Sequence, residues 1–213
     1  MFNIVRRWSD DARTVPMADY ATEAAIEGKA DGVVALGLAG REDGTPPEQF
    51  VTYFARAREA GLRSAPHAGE LAGPDSVWGA LEALGADRIG HGVRTVEDAD
   101  LLVHLAENEI ALEVCPTSNV RLGVYPRYAD HALPLLLSAG VPVTIGSDDP
   151  PLFATTLTEE LLLLPSAFRL DVAAIDAILL APVRHCLLPT ARRAALEADF
   201  ALALKEAHLG SGC

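Results

Sequence analysis

The chain has 213 residues, 50% of them hydrophobic and 22% charged, which is enough apolar material for a substantial core. A formal charge of −13 opposes binding to a polyphosphate backbone, and no apolar run approaches the roughly 20 residues of a membrane span, so neither a nucleic acid polymer nor a membrane is an expected partner. No signal-peptide pattern opens the chain, making the cytoplasm the expected address, and three cysteines without a CxxC pair (Cys115, Cys186, Cys213) fit reduced thiols rather than disulfides or a thiolate metal cluster.

Short apolar, β-branched runs alternate with helical patterns. Phe2–Arg6 reads as a first strand, with Arg6, Arg7 and Trp8 at its end as candidates for substrate contact and Asp10 and Asp11 as turn residues. A helix near Met17–Glu27 leads to a strand over Gly32–Leu38, and a helix over Pro47–Ala60 to a strand over Leu62–His67. Gly73-Pro74-Asp75-Ser76 opens a helix over Asp75–Leu84 that Gly85 stops. Strands follow at Asp87–His91, Ile110–Val114 and Val141–Ser147, separated by helices near Val96–Glu107 and Leu133–Ala139. Beyond Ser147 the pattern is helix only, near Thr156–Leu164, Val172–Leu180 and Ala191–Ala207. Repeated strand–helix alternation implies an α/β fold of parallel strands, either a doubly wound sheet or a (β/α) barrel. In both, catalytic groups gather at the carboxyl ends of the strands.

Those ends are chemically rich. The third strand ends in Pro66-His67-Ala68-Gly69-Glu70, the fourth in Gly90-His91-Gly92, the fifth in Cys115-Pro116-Thr117-Ser118-Asn119, and the sixth in Gly146-Ser147-Asp148-Asp149-Pro150-Pro151. A single histidine at a strand end is usually structural, and an Asp-Asp-Pro is usually a turn or cap. Four consecutive strands converging on one rim point instead to an active site. Neutral imidazole and carboxylate are standard ligands of Zn²⁺, which lowers the pKa of bound water to about 7. A further imidazole can act as base, and a glutamic acid in an apolar pocket can stay protonated and donate.

The motifs HAGE at 67–70, RIGHG at 88–92, EVCPTSN at 113–119 and SDDP at 147–150, in this order and spacing, resemble the adenosine deaminase family. Leu36-Gly37-Leu38-Ala39-Gly40 resembles that family's loop beneath the purine. The resemblance implies a TIM-type (β/α) barrel that hydrolyses the exocyclic amine at purine C6 with the help of zinc. It implies His67 and Asp148 as metal ligands, Glu70 as the acid that protonates the ring, and His91 as the group that orients or deprotonates the attacking water. Asp149 and the Gly40 backbone N–H would contact the purine, and Ser118 would support the site from behind. The cytosine-type zinc deaminase pattern, His-x-Glu with Pro-Cys-x-x-Cys, is missing, since Cys115 precedes Pro116 and has no partner two residues on.

The family's first strand ends in His-x-His, yet none of the histidines at 67, 91, 104, 131, 185 and 208 are two apart. Six strands are found where a closed barrel needs eight and about 250 residues. The expectation is therefore one partial barrel domain over 1–213, about six of eight βα units with the first two missing, and residues 155–213 as extra C-terminal helices of the same domain. The chain alone is expected to be inactive or weakly active and to self-associate through unpaired strand edges. A truncated chain and a non-catalytic nucleoside- or partner-binding remnant both fit, and adenosine, adenine and 6-amino-6-deoxyfutalosine are all open as substrates. A broader amidohydrolase is a third reading, although Lys29 and Lys205, the two lysines, do not end strands. His104, His131, His185 and His208 are expected to be structural or solvent-facing.

Overall fold

A computed structural model describes residues 1–6 and 14–210; Arg7, Trp8, Asp10, Asp11 and Cys213 lie outside them. Six parallel strands run in sequence order: β1 (Phe2–Val5), β2 (Ala35–Ala39), β3 (Arg63–Ala68), β4 (Arg88–His91), β5 (Ala111–Val114) and β6 (Val143–Ile145). A doubly wound sheet reverses its strand order at a switch point, so an unbroken 1-to-6 order selects the barrel-type winding. Among the described residues β1 and β6 each pair on one side only, leaving the barrel open.

Helices connect the strands, α1 (Thr14–Glu27), α2 (Val51–Glu59), α3 (Pro74–Glu82), α4 (Ala99–Glu107), α5 (Pro116–Arg121) and α6 (Leu133–Ser138), and α7 (Pro150–Phe153) follows β6. Three more follow the last strand: α8 (Leu157–Ser166), α9 (Val172–Arg184) and α10 (Thr190–Gly210). None is long and apolar enough to cross a membrane.

Several boundaries differ from the sequence expectation for identifiable reasons. The second strand starts at Ala35 rather than Gly32 because Gly32, at φ 93, closes a 3₁₀ turn and the Val33 N–H donates back to the Gly28 carbonyl. The helix expected from Val96 starts at Ala99, because the Asp98 carboxylate accepts the Asp100 and Leu101 amides as a cap. Two short helices, α5 and α7, arise where the sequence pattern marked no helix. Each opens with proline, whose fixed φ suits a first helical turn as well as a bend.

The apolar side chains form two clusters. Ile4, Leu36 and Leu38 of β1 and β2 pack with Ala18 and Ala25 of α1 and with Phe54 and Ala57 of α2. Ile89, Leu112, Val114 and Val143 of the later strands pack with Leu101, Leu105, Leu133, Leu136 and Leu164. Because strand side chains alternate, the opposite face of these strands lines the lumen with Arg88, Gly90, Glu113, Cys115 and Thr144. Arg88 and Glu113 form an ion pair there.

Candidate active site at the strand ends

A cavity of about 550 Å³ opens at the carboxyl ends of the strands, lined by His67, His91, Cys115, Asp148 and Asp149. A larger one of about 800 Å³ lies at the opposite ends, against Arg63, Asp87 and Arg184. There Arg63 is paired with Asp87 and Arg184 with Glu197, whereas titratable groups displaced from their ordinary values gather at the first, which we take as the site.

Strand register brings the rim together. His67 lies opposite Gly90, and Ala68 opposite His91. A Cβ at position 90 would stand 2.5 Å from His67 Cδ2, so glycine there makes room for the imidazole. The His67 and His91 rings meet edge to face at 4.7 Å. The backbone turns sharply at the exits of β4 and β6, where His91 (φ 64) and Asp148 (φ 53) adopt the left-handed conformation, uncommon for residues other than glycine. Both side chains are thereby aimed into the cavity.

Glu70 is buried and follows the turn after β3. Its carboxyl is pushed up to about 8, first by burial, then by the nearby carboxylates of Asp148 and Glu42, against the weaker opposing effect of a hydrogen bond from Asn119. Asn119 Nδ2 donates to Glu70 Oε1 at 3.3 Å. His91 Nδ1 lies 3.3 Å from the same oxygen without a hydrogen bond, and this buried nitrogen has no hydrogen-bond partner among the described residues. Burial, and secondarily His67, pushes His91 down to about 3, so its ring is neutral at physiological pH. Burial also holds His67 below its ordinary value, although Asp148 acts in the other direction.

Asp148 accepts a hydrogen bond from Ser118 Oγ at 2.6 Å, which fixes the carboxylate from behind. Donor atoms of Asp148, His91 and Cys115 lie within 4.8 Å of one another. Cys115 is the weakest of these as a ligand, because burial raises its thiol pKa and keeps the proton on sulfur. His67 and Asp148, a neutral imidazole and a carboxylate, have the chemistry that zinc takes. Asp149 is exposed on the cavity wall, and Gly40 sits one residue beyond β2, next to the cavity-lining Ala39.

Two supporting residues escaped the reading of the sequence in their present roles. Glu42, almost fully buried, accepts the amides of Gly69, Glu70 and Leu71 at 2.8, 2.8 and 3.1 Å and the Ser76 hydroxyl at 2.6 Å. A carboxylate saturated in this way fixes the turn that carries Glu70. Arg6, considered as a substrate contact, is instead buried, donating to the carbonyls of Thr45 at 3.1 Å and His67 at 2.6 Å. It ties the end of β1 to the end of β3. Arg6 stands at a strand end, but nothing in the sequence shows that it turns to the carbonyls of Thr45 and His67, and Glu42 looks no different in sequence from the exposed Asp43 beside it.

The sequence model described as "Adenosine deaminase" matches residues 5–201. Similar curated proteins include the aminodeoxyfutalosine deaminase of Streptomyces avermitilis, 44% identical over 80% of this chain and 48% of that protein. The adenine deaminase of a Chelativorans species is 43% identical over 77% of this chain and 50% of its own length. Among solved structures, a zinc-bound amidohydrolase of Burkholderia ambifaria superposes with a TM-score of 0.86 at 26% identity, covering 96% of this chain and 56% of that one. The chain thus spans about half the length of the relatives it matches.

Proposed function

The chain belongs to the adenosine deaminase family, and from that premise we propose that its rim is part of a site for the hydrolytic deamination of a 6-aminopurine, most simply adenosine to inosine and ammonia. The observation that carries this reading is the opposite displacement of two adjacent groups: Glu70 stays protonated to about pH 8, while His91 stays neutral down to about pH 3. A neutral carboxylic acid beside a neutral imidazole suits a reaction that protonates a ring nitrogen while a water is held against the adjacent carbon.

Zinc, held by His67 and Asp148 with further ligands, would acidify the attacking water; the two donors fit it in chemistry, but a catalytic site normally has at least three protein ligands. Glu70 donates its proton to the ring, which draws electrons from C6. His91, with its depressed basicity, orients the water by accepting a hydrogen bond. Asp149 and the Gly40 N–H hold the purine from either side, and Ser118 keeps Asp148 in place. Water adds its oxygen to C6; one of its protons passes to the exocyclic nitrogen, which leaves as ammonia, and the other returns to Glu70 as the C6 carbonyl forms, so atoms and charge balance.

No two histidines of the chain are two apart. The proposal therefore includes that the 213 residues alone hold zinc weakly, turn over slowly or not at all, and associate through the outer edges of β1 and β6. The test is zinc content together with ammonia release from adenosine, adenine and aminodeoxyfutalosine, measured on this chain and on a version extended by any in-frame sequence upstream of Met1. Activity that appears with a completed metal site and vanishes in Glu70→Gln, with zinc retained, supports the reading. Hydrolysis of esters or lactones without ammonia release from any aminopurine would overturn it.

A further inference from the structure

Two buried residues that the chemistry above does not use stand behind Glu70. Asn119 of α5 is fully buried and His131, just before α6, is 3% exposed. His131 Nδ1 accepts the Leu133 backbone N–H at 3.0 Å. An imidazole nitrogen that accepts carries no proton, so in the neutral ring the proton is on Nε2. Nε2 lies 3.1 Å from Asn119 Oδ1 and donates to it. With its oxygen so engaged, Asn119 must present its amide nitrogen to Glu70 Oε1. Tyr125 and Phe168 pack on the imidazole, with ring centres at 4.7 and 5.6 Å, and the Tyr125 hydroxyl is itself anchored on the Val93 carbonyl.

This chain of bonds has a direction that starts at a backbone amide, which cannot reverse. Were the Asn119 amide flipped, Oδ1 would face Oε1 of Glu70, and that oxygen would have to carry the proton to satisfy it. In the observed arrangement Oε1 accepts, so a proton on the carboxyl belongs on Oε2.

We propose that His131, acting through Asn119, is a positioning residue that commits Glu70 Oε1 to accepting and leaves Oε2 as the oxygen that carries the transferable proton. The proposal rests on the reading of Glu70 as the ring-protonating acid, and it gives that reading an atom. His131 touches neither cavity nor reacting groups; its effect reaches Glu70 only through the amide of Asn119.

The test uses the whole 213-residue chain and nuclear magnetic resonance. Histidine labelled with ¹⁵N should show His131 as the Nε2–H tautomer near neutral pH. His131→Phe keeps a ring against Tyr125 and Phe168 but frees the Asn119 amide to rotate. The Glu70 carboxyl, followed by ¹³C, should then titrate higher by about one unit, because a hydrogen bond favouring its ionised form is lost. His131→Gln, which offers an oxygen to Leu133 N–H and an amide donor to Asn119, should restore the original midpoint. A purely structural ring would show neither the shift nor the rescue. If His131→Phe does not fold, Asn119→Leu should give the same upward shift. An Nδ1–H tautomer, or an unmoved Glu70 midpoint in a folded variant, overturns the relay. The deaminase reading fails separately: tautomer and shift as expected, with no ammonia released from aminopurines by a zinc-complete protein, would keep the relay and discard the reaction.

Discussion

The β1–β2 region and the β3–β6 region divide the work unequally. The later strands carry most of the titratable groups at the rim, among them His67, Glu70, His91, Cys115, Asp148 and Asp149. The earlier strands deliver Arg6, Gly40 and Glu42, two of which act on the end of β3 rather than on the cavity. The two regions also pack separate apolar clusters. Chemistry and the means of holding it in place are thus encoded in different parts of the chain, and each should respond differently to substitution.

The largest expected effect lies at the rim. In a protein with a complete metal site, Glu70→Gln should lower kcat/KM for an aminopurine by about a hundred- to ten-thousand-fold while leaving the denaturation midpoint of the chain near or above its starting value. A loss of folding instead would show that Glu70 belongs to the scaffold. The converse holds for the clusters. Leu112→Ala and Leu36→Ala should each cost about 2–5 kcal/mol in urea unfolding, because each leaves a cavity in a fully buried site. As the two leucines sit in different clusters, their effects should add to within about 0.5 kcal/mol. A strong coupling would mean that the two regions are one packing unit.

Glu42→Gln sharpens the contrast between doing chemistry and holding it. The substitution removes a charge that receives three amides and a hydroxyl, at a cost of about 1–3 kcal/mol. It should also lower the pKa of the Glu70 carboxyl, since Glu42 is one of the charges that raise it. A titration of Glu70 unchanged in this variant would separate the two residues.

The pH dependence of stability in the metal-free chain is a smaller and more diagnostic effect. Folded Glu70, at about 8 against 4.5 for an ordinary glutamate, keeps a proton that the unfolded chain releases, so its contribution falls as pH rises from about 4.5 to 8. His91 at about 3 and His131 at about 4, against 6.5, take up protons on unfolding, so their contributions fall as pH drops below about 6.5. Together they place a stability maximum near pH 6.5, and Glu70→Gln should remove the decline between about 6.5 and 8. A decline that persists in that variant assigns it to another group.

The same division explains what could be read from the sequence. The β-branched strand cores and the motifs around His67, His91, Ser118 and Asp148 lie within a few residues of strand ends, where position alone suggests a role. Glu42 acts across 28 residues on the Glu70 amide and Asn119 across 49 on its carboxyl. No local periodicity encodes such partnerships; they depend on which loops the barrel winding brings together. His131, expected to be structural, is buried as such a residue should be, but its bonding direction emerges only once Leu133 N–H is seen on Nδ1. The helices α5 and α7 were hidden because Pro116 and Pro150-Pro151 are compatible with both a turn and a helix start.

Deamination at this rim requires Glu70 to be protonated at neutral pH. A ¹³C titration of the glutamate carboxyls, with Glu70→Gln identifying the resonance by difference, measures it on the chain as it is. A midpoint near pH 8 is predicted, set by burial beside Asp148 and Glu42. A midpoint near 4.5 would mean that Glu70 is ionised at neutral pH and cannot be the proton donor of this site.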